Sequence, residues 1–457
     1  MPNRMKALSL KLSLALLCGL ALTACATTVI PPGRLQNTPI SEADILVQAK
    51  ADVAALASDS LAGRGYLYGG TAKAARYLRQ RFKSIGLQPV NGSYYQPFAL
   101  TTDLFPEAPE LTVNGRSLRL GRDFLPLPSS ASGITKGRES VVRAGSGVVL
   151  PEVGVNAYED VDVDGAVVVL DEVVPDTLRS LARDTPETVT EEGRVQAARE
   201  RGAASVVFLT DRLIYGASFE NAGLPAFYVR QDAWPDLVRS VSYRVRSIQD
   251  TTVQTQNVLG WLPGTVAPDS FLIVMAHYDH LGALGREVYF PGANDNASGV
   301  ALLLALAETL SEQSLRYSVL FVAFSGEEAG LIGSHYFTEH PPVDLDRAVF
   351  LVNFDMVASG EDGVVVEGGI DFPDRYQLLR RVGGGIRGLE ISARRNAPNS
   401  DQFFLIRRGI PGFYLYTNRG KQPYHSIADV PSTLEWDDFL QVYELASGFV
   451  RRVDDAP

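Results

Sequence analysis

The sequence predicts an α/β protein: a largely parallel sheet covered by helices on both faces, interrupted by a smaller α/β module. Three observations predict it. From residue 257 onward, apolar runs of strand length alternate with amphipathic helical stretches, the pattern of a sheet packed between helices. Between 106 and 250 the texture changes to short strand candidates and many turns, with no histidine. The chain has 457 residues, 46% apolar and 21% charged, enough for two or three ordinary globular domains.

Charge and cysteine content narrow the function. The 42 basic and 53 acidic residues give a formal net charge of −11, and no long Lys/Arg run occurs. Nucleic acid is therefore not the expected partner. Two cysteines build neither a disulfide framework nor a Cys-rich zinc ribbon, so any metal site must use His, Asp and Glu.

Arg4, Lys6 and Lys11 precede an apolar run over 12–22. A basic end followed by about 11 apolar residues is a secretory signal, since a membrane span needs about 20. Leu22-Thr23-Ala24-Cys25 closes the run and resembles a bacterial lipobox, whereas Cys18 follows Leu17 and fits poorly. That resemblance implies a signal peptide over 1–24, lipidation of Cys25 and a membrane anchor. Ala26 in place of Asp implies the periplasmic side of the outer membrane. Residues 25–40 are small, polar and Pro-containing, and read as a tether.

Residues 41–105 open the main domain. Ser41 with Asp44 resembles a capping box, and Ile45, Leu46, Ala49, Val53 and Leu56 follow at helical spacing. A second helix is expected over 71–84, with Ala75, Leu78 and Phe82 on one stripe and Gly86 as its stop. Leu61-Ala62-Gly63-Arg64 is a turn-rich loop between them. In the 106–250 module, strands are expected over 167–170, 205–209 and 225–229, with a helix over 194–201 closed by Gly202. Its expected role is packing or access control. In the final part, 251–457, strands are expected over 271–276, 318–324, 348–354 and 413–416, with helices over 300–310 and 329–338.

Chemistry gathers in that final part. All five histidines, His277, His280, His335, His340 and His425, lie there. Three strand candidates run into polar residues: His277, then Ser325-Gly326-Glu327-Glu328, then Asp355. Carboxyl ends of strands line the ligand crevice in open α/β sheets. A turn-rich loop carries Asp295 into a helix start, and Tyr424-His425 follows the last strand. His277, Asp295, Glu328, Asp355 and His425 make two imidazoles and three carboxylates, whose mutual repulsion requires cations between them. Two divalent ions bridged by one carboxylate resolve it and leave a place for water. Oxygen and nitrogen ligands suit zinc, with manganese or cobalt as substitutes. Glu327, next to Glu328 but facing elsewhere, then suits a general base acting on a metal-activated water. Asp279, two residues after His277, suits an acceptor for the imidazole N–H.

His277-Tyr278-Asp279, the loop 292–299 (GANDNASG), Gly326-Glu327-Glu328-Ala329-Gly330-Leu331, Asn353-Phe354-Asp355-Met356 and Tyr424-His425 resemble the M28 peptidases, the co-catalytic zinc aminopeptidases, in both wording and order. Asn257-Val258-Leu259-Gly260, Pro263-Gly264 and Leu61-Ala62-Gly63-Arg64 resemble the same family, and the 106–250 insert resembles a protease-associated (PA) domain. The resemblance implies a zinc-exopeptidase fold and two zinc ions, one held by His277 and Asp355, the other by Glu328 and His425, with Asp295 bridging. It implies Glu327 as general base, Asp279 orienting His277, and Tyr424 donating to the developing oxyanion. The implied reaction is hydrolysis at the free N-terminus of peptides. Gln402 in Asn399-Ser400-Asp401-Gln402 departs from the family's His. His280, in the loop after the first metal strand, is a candidate for touching substrate, while His335 and His340 are expected to pack. Alternative readings are a carboxypeptidase, dipeptidase or glutaminyl cyclase on this fold, or a silent binding protein. No Gly-x-Ser-x-Gly elbow supports a serine hydrolase.

Overall fold

The computed structural model describes residues 40–134, 139–217, 221–358, 360, 363–418 and 423–455. The expected signal peptide, Cys25 and nearly all of the tether lie outside the described residues. Among the described residues, no helix is long and apolar enough to cross a membrane.

An eight-stranded mixed sheet organises the chain. Its strands are β1 (Tyr95–Leu104), β2 (Ile248–Leu262), β3 (Ala267–His277), β4 (Tyr317–Phe324), β5 (Ala348–Phe354), β6 (Val364–Glu367), β7 (Ile391–Arg394) and β8 (Gly412–Thr417). Their spatial order is β1-β2-β4-β3-β5-β8-β6-β7. The central strands β4, β3, β5 and β8 are mutually parallel, while β1, β2 and β6 pair antiparallel with their inner neighbours. The central strands are apolar on both faces because both faces are covered. Leu272, Val274 and Ala276 of β3 turn to one helical layer, and Phe271, Ile273 and Met275 to the other.

The first layer contains the helices Glu42–Leu56, Gly70–Ile85, Gly299–Ser311 and Trp436–Asp454. Ser41 accepts from Asp44 N at 3.2 Å, which caps the first of them. Gly86, in the left-handed region at φ +94°, ends the second. Gly299–Ser311 is buried almost all round, which its run of Ala and Leu permits. The second layer includes Phe337 of Ile332–Glu339 and Leu405 of Gln402–Arg407. The helix expected from 329 begins at Ile332 instead. Gly330 and Leu331 both have positive φ, so this stretch turns before it can coil.

The segment between β1 and β2 departs and returns at one point, since Leu104 pairs with Ile248. It holds a five-stranded sheet, in which Val141–Arg143, Val167–Asp171, Ser205–Thr210 and Ala226–Arg230 run parallel. A four-stranded antiparallel sheet lies beside it in the same segment. The helix expected over 194–201 spans Glu191–Arg199. One core of this segment, including Phe124, Val207 and Phe227, continues into Leu284 and Phe290 of the main domain. The insert is thus joined to the main domain by shared apolar packing.

Leu306 is fully buried in the central helix. Leu306→Ala should destabilise the chain by about 2–5 kcal/mol, measured as a lower denaturant midpoint.

Candidate metal centre

Because β4, β3, β5 and β8 are parallel neighbours, their carboxyl ends open on one crevice. His277 is the last residue of β3, and Asp355 follows β5 directly. Glu327 and Glu328 follow β4 through Ser325 and Gly326, whose φ of +75° turns the chain. His425 comes from the loop after β8, and Asp295 from the turn Ala293–Ser298. All of them line one cleft of about 720 Å³, with Met356, Arg394, Tyr414, Tyr416 and Tyr424 among its walls.

Asp295 is central. Its Oδ1 lies 3.4 Å from His277 Nε2, and its Oδ2 lies 3.2 Å from His425 Nε2. Asp355 Oδ1 is 3.3 Å from the same His277 nitrogen, and Glu328 Oε2 is 3.2 Å from His425 Nε2. The side chains form two sets that share Asp295. Ligands about 2.0–2.1 Å from a tetrahedral ion stand about 3.3 Å apart, so each set fits a divalent cation. Asp355 Oδ1 is buried and receives no hydrogen bond, as a metal-facing oxygen would, while Ser400 Oγ donates to Oδ2 at 3.0 Å.

The loop bearing Asp295 is wired from several sides. The buried Asp429 carboxylate accepts from Asn294 N at 2.8 Å and Asp295 N at 3.0 Å. Asn296 Nδ2 donates to Phe354 O at 2.9 Å, and its Oδ1 accepts from Met356 N at 3.2 Å. Asn294 Oδ1 accepts from Ala358 N at 3.2 Å. These bonds tie the Asp295 loop to the Asp355 loop. Arg64, fully buried, donates to five carbonyls: Tyr278, Leu56, Pro291, Gly292 and Asp295, at 2.6–3.1 Å. Burial lowers its guanidinium to about 10, against the pull of Asp295 and Asp429, so it remains a cation at neutral pH.

Imidazole tautomers follow from hydrogen bonds. His425 Nδ1 donates to Tyr215 O at 2.7 Å, leaving the Nε2 lone pair for Asp295 and Glu328's side of the cleft. His277 Nδ1 is 3.3 Å from the carbonyl of Asp279 but 3.8 Å from its carboxylate. The side chain of Asp279 instead accepts from Glu327 N at 3.3 Å and from Tyr66 OH at 3.1 Å. Asp279 therefore meets His277 through its main chain and Glu327 through its carboxylate.

Electrostatics separate the two adjacent glutamates. Burial raises Glu327 well above the ordinary carboxylate range, and Glu328, Asp355 and Asp401 add to this against His277. The Glu328 side chain is only 8% exposed, yet His425 and His280 hold it well below that range. Burial works against charging His277 and His425, but neighbouring carboxylates overcome it and hold both well above the usual imidazole value. Glu327 offers an oxygen within 4.8 Å of ligand atoms of His277 and Glu328.

Sequence reasoning left His280 as a candidate substrate contact in the loop after β3. It is buried instead, with Nδ1 2.6 Å from Glu328 Oε1, a third imidazole in the cluster. Its spacing of three from His277 was the available signal. Tyr424 lies parallel to His425 at 3.9 Å between ring centroids and faces the cleft. Gln402 is buried: it accepts from Asn353 and donates to Asn396, Ala397 and Asn399, holding the loop at the cleft wall. His335 packs tilted against Phe404, and His340 stacks on Tyr336. Arg64 was recognised only as part of a motif, and Asp429, Tyr66 and Tyr215 carried no local signal.

This arrangement is a cluster of imidazoles and carboxylates, spaced as metal ligands are, at the carboxyl edge of an α/β sheet. Residues 257–450 match Peptidase family M28. Aminopeptidase YwaD of Bacillus subtilis (strain 168) is 26% identical over 173 residues, 36% of this chain and 37% of that protein. A probable zinc metalloprotease of Pyricularia oryzae is 36% identical over 107 residues, 23% of this chain and 20% of that protein. The alignments thus span well under half the length of these curated relatives. Among solved structures, BSAP, a zinc aminopeptidase from Bacillus subtilis, superposes with a TM-score of 0.68 at 18% identity, covering 92% of this chain and 97% of that one. An aminopeptidase from Aneurinibacillus sp. strain AM-1 gives 0.63 at 20% identity, covering 89% and 93%. The fold is shared across nearly the full chain.

Arg64→Lys replaces a five-donor fork by a three-donor ammonium and strands buried carbonyls. It should cost more than about 2 kcal/mol and lower the metal bound per chain, read by denaturation and elemental analysis.

Proposed function

We propose that this protein is a di-zinc aminopeptidase, hydrolysing the peptide bond that follows the free N-terminal residue. The observation that carries the reading is Asp295, whose two oxygens face different imidazoles, each beside a further carboxylate. In this reading His277 and Asp355 hold one zinc, Glu328 and His425 the other, and Asp295 bridges. Relatives named as aminopeptidase and zinc metalloprotease support zinc as the metal, with manganese or cobalt as functional substitutes. Bound zinc supplies Lewis acidity that polarises the scissile carbonyl and lowers the pKa of water.

The chain's own residues do the rest. Glu327, not needed as a ligand, takes a proton from the attacking water and passes it to the leaving amine. A carboxyl group that has taken that proton can deliver it to the leaving nitrogen. Asp279 fixes the Glu327 main chain and, through its own carbonyl, the ring of His277. Tyr424, on the cleft wall, donates to the oxygen on which negative charge develops. The insert over 106–250, in its PA-like role, restricts access to the cleft. Cys25 carries the lipid that holds the mature protein at the outer membrane of a two-membrane bacterium.

Metal-replete protein should release single residues from free-amine peptides and none from their N-acetylated forms, read by mass spectrometry. Release from neither set would sink the assignment. Glu327→Gln should lower kcat by about 100-fold or more while metal content per chain stays unchanged. Cys25→Ser should move the protein from the membrane to the soluble fraction on cell fractionation.

A further inference from the structure

Tyr215 of the insert reaches His425 of the metal cluster. Tyr215, in the loop after the strand Ser205–Thr210, forms a reciprocal pair with His425. Tyr215 O accepts from His425 Nδ1 at 2.7 Å, and Tyr215 N donates to His425 O at 3.0 Å. The first bond fixes the tautomer that leaves Nε2 free to bind metal, and the second fixes the backbone of the ligand itself. His425 has a positive φ of 49°, a conformation that a non-glycine residue keeps only where its surroundings hold it.

Tyr215 is itself held firmly. Its ring is buried and stacks on Phe290 of the main domain, 4.9 Å between centroids at 8°. Two residues beyond His425, Ile427 packs against the insert, close to Gly121 and Val288. The other ligands are fixed within the sheet domain: His277 by Asp279, Asp295 by Asp429, Asp355 by Ser400 and Glu328 by His280.

We infer that the insert is a working part of the second metal subsite: the Tyr215 main chain positions His425, so docking of the insert and binding of the second zinc are coupled. The inference rests on His425 being a ligand, as proposed above. Coupling of this kind is reciprocal. A docked insert tightens the Asp295–Glu328–His425 subsite, and an ion in that subsite tightens the insert. Whatever displaces the loop around Tyr215 loosens one ion of the pair and leaves the other.

Zinc titration of the full chain, made metal-free, tests this. Tyr215→Ala keeps the main chain but removes the ring that anchors it, and should weaken one of two zinc sites about tenfold or more. Tyr215→Phe, which keeps the stacking ring, should restore both sites to wild-type affinity. Hydrogen exchange on the unaltered protein supplies a readout independent of any variant: the Tyr215 amide should exchange more slowly once zinc is loaded. Wild-type affinity at both sites in Tyr215→Ala, or an exchange rate that zinc leaves unchanged, would overturn the inference. His425→Ala separates the two levels. If it still binds two zinc ions, the ligand assignment falls. If it binds one while Tyr215→Ala binds two normally, only the role of the insert falls.

Discussion

Buried carboxylates held close together are the constraint on which this structure turns. Asp295, Glu328 and Asp355 converge on His277 and His425, with Glu327, Asp279, Asp401 and Asp429 packed around them. Such a group is unfavourable in a dry interior unless cations or hydrogen-bond donors face it. The parallel centre of the sheet answers first, because backbone locked in neighbouring strands cannot move apart to relieve repulsion. The loops answer next, by offering main-chain N–H groups to Asp279 and Asp429. What remains is a set of imidazole and carboxylate atoms whose separations suit divalent ions.

Arg64 is the one guanidinium buried within this region among the described residues, and it spends its donors on carbonyls rather than carboxylates. Its role is twofold. It satisfies main-chain oxygens where the 278–295 segment crosses itself, and its charge offsets part of the carboxylate field without occupying the cleft. A hydrogen-bonded salt bridge to Asp295 would instead have consumed oxygens that face the imidazoles. The placement keeps charge compensation and ligand geometry separate.

The insert changes character when viewed from the metal centre. It shares an apolar core with Leu284 and Phe290, and its Tyr215 reaches across to His425. The remaining ligands are set by the sheet and its own loops. One cluster of side chains is thereby assembled from two parts of the chain with different mechanical support.

Much of this was legible in the sequence because strand patterning is local. Apolar runs ending in His277, in Glu327-Glu328 and in Asp355 identify buried strands and what stands at their ends, and the glycine-rich loop around Asp295 marks a turn. Those residues and the helix-covered sheet follow from periodicity and residue chemistry alone. The short or half-polar outer strands β1, β2, β6 and β7 did not, since their pairing depends on neighbours distant in the chain. Tertiary structure alone decided how the imidazoles and carboxylates divide around Asp295, that Asp279 meets His277 through its carbonyl, and that His280 is buried against Glu328. It alone brought Arg64 beneath the Asp295 loop and Tyr215 to His425, 210 residues away. Local sequence determines which groups are available and which element carries them. Distances of 3 Å between groups far apart in the chain arise only when the whole core is packed.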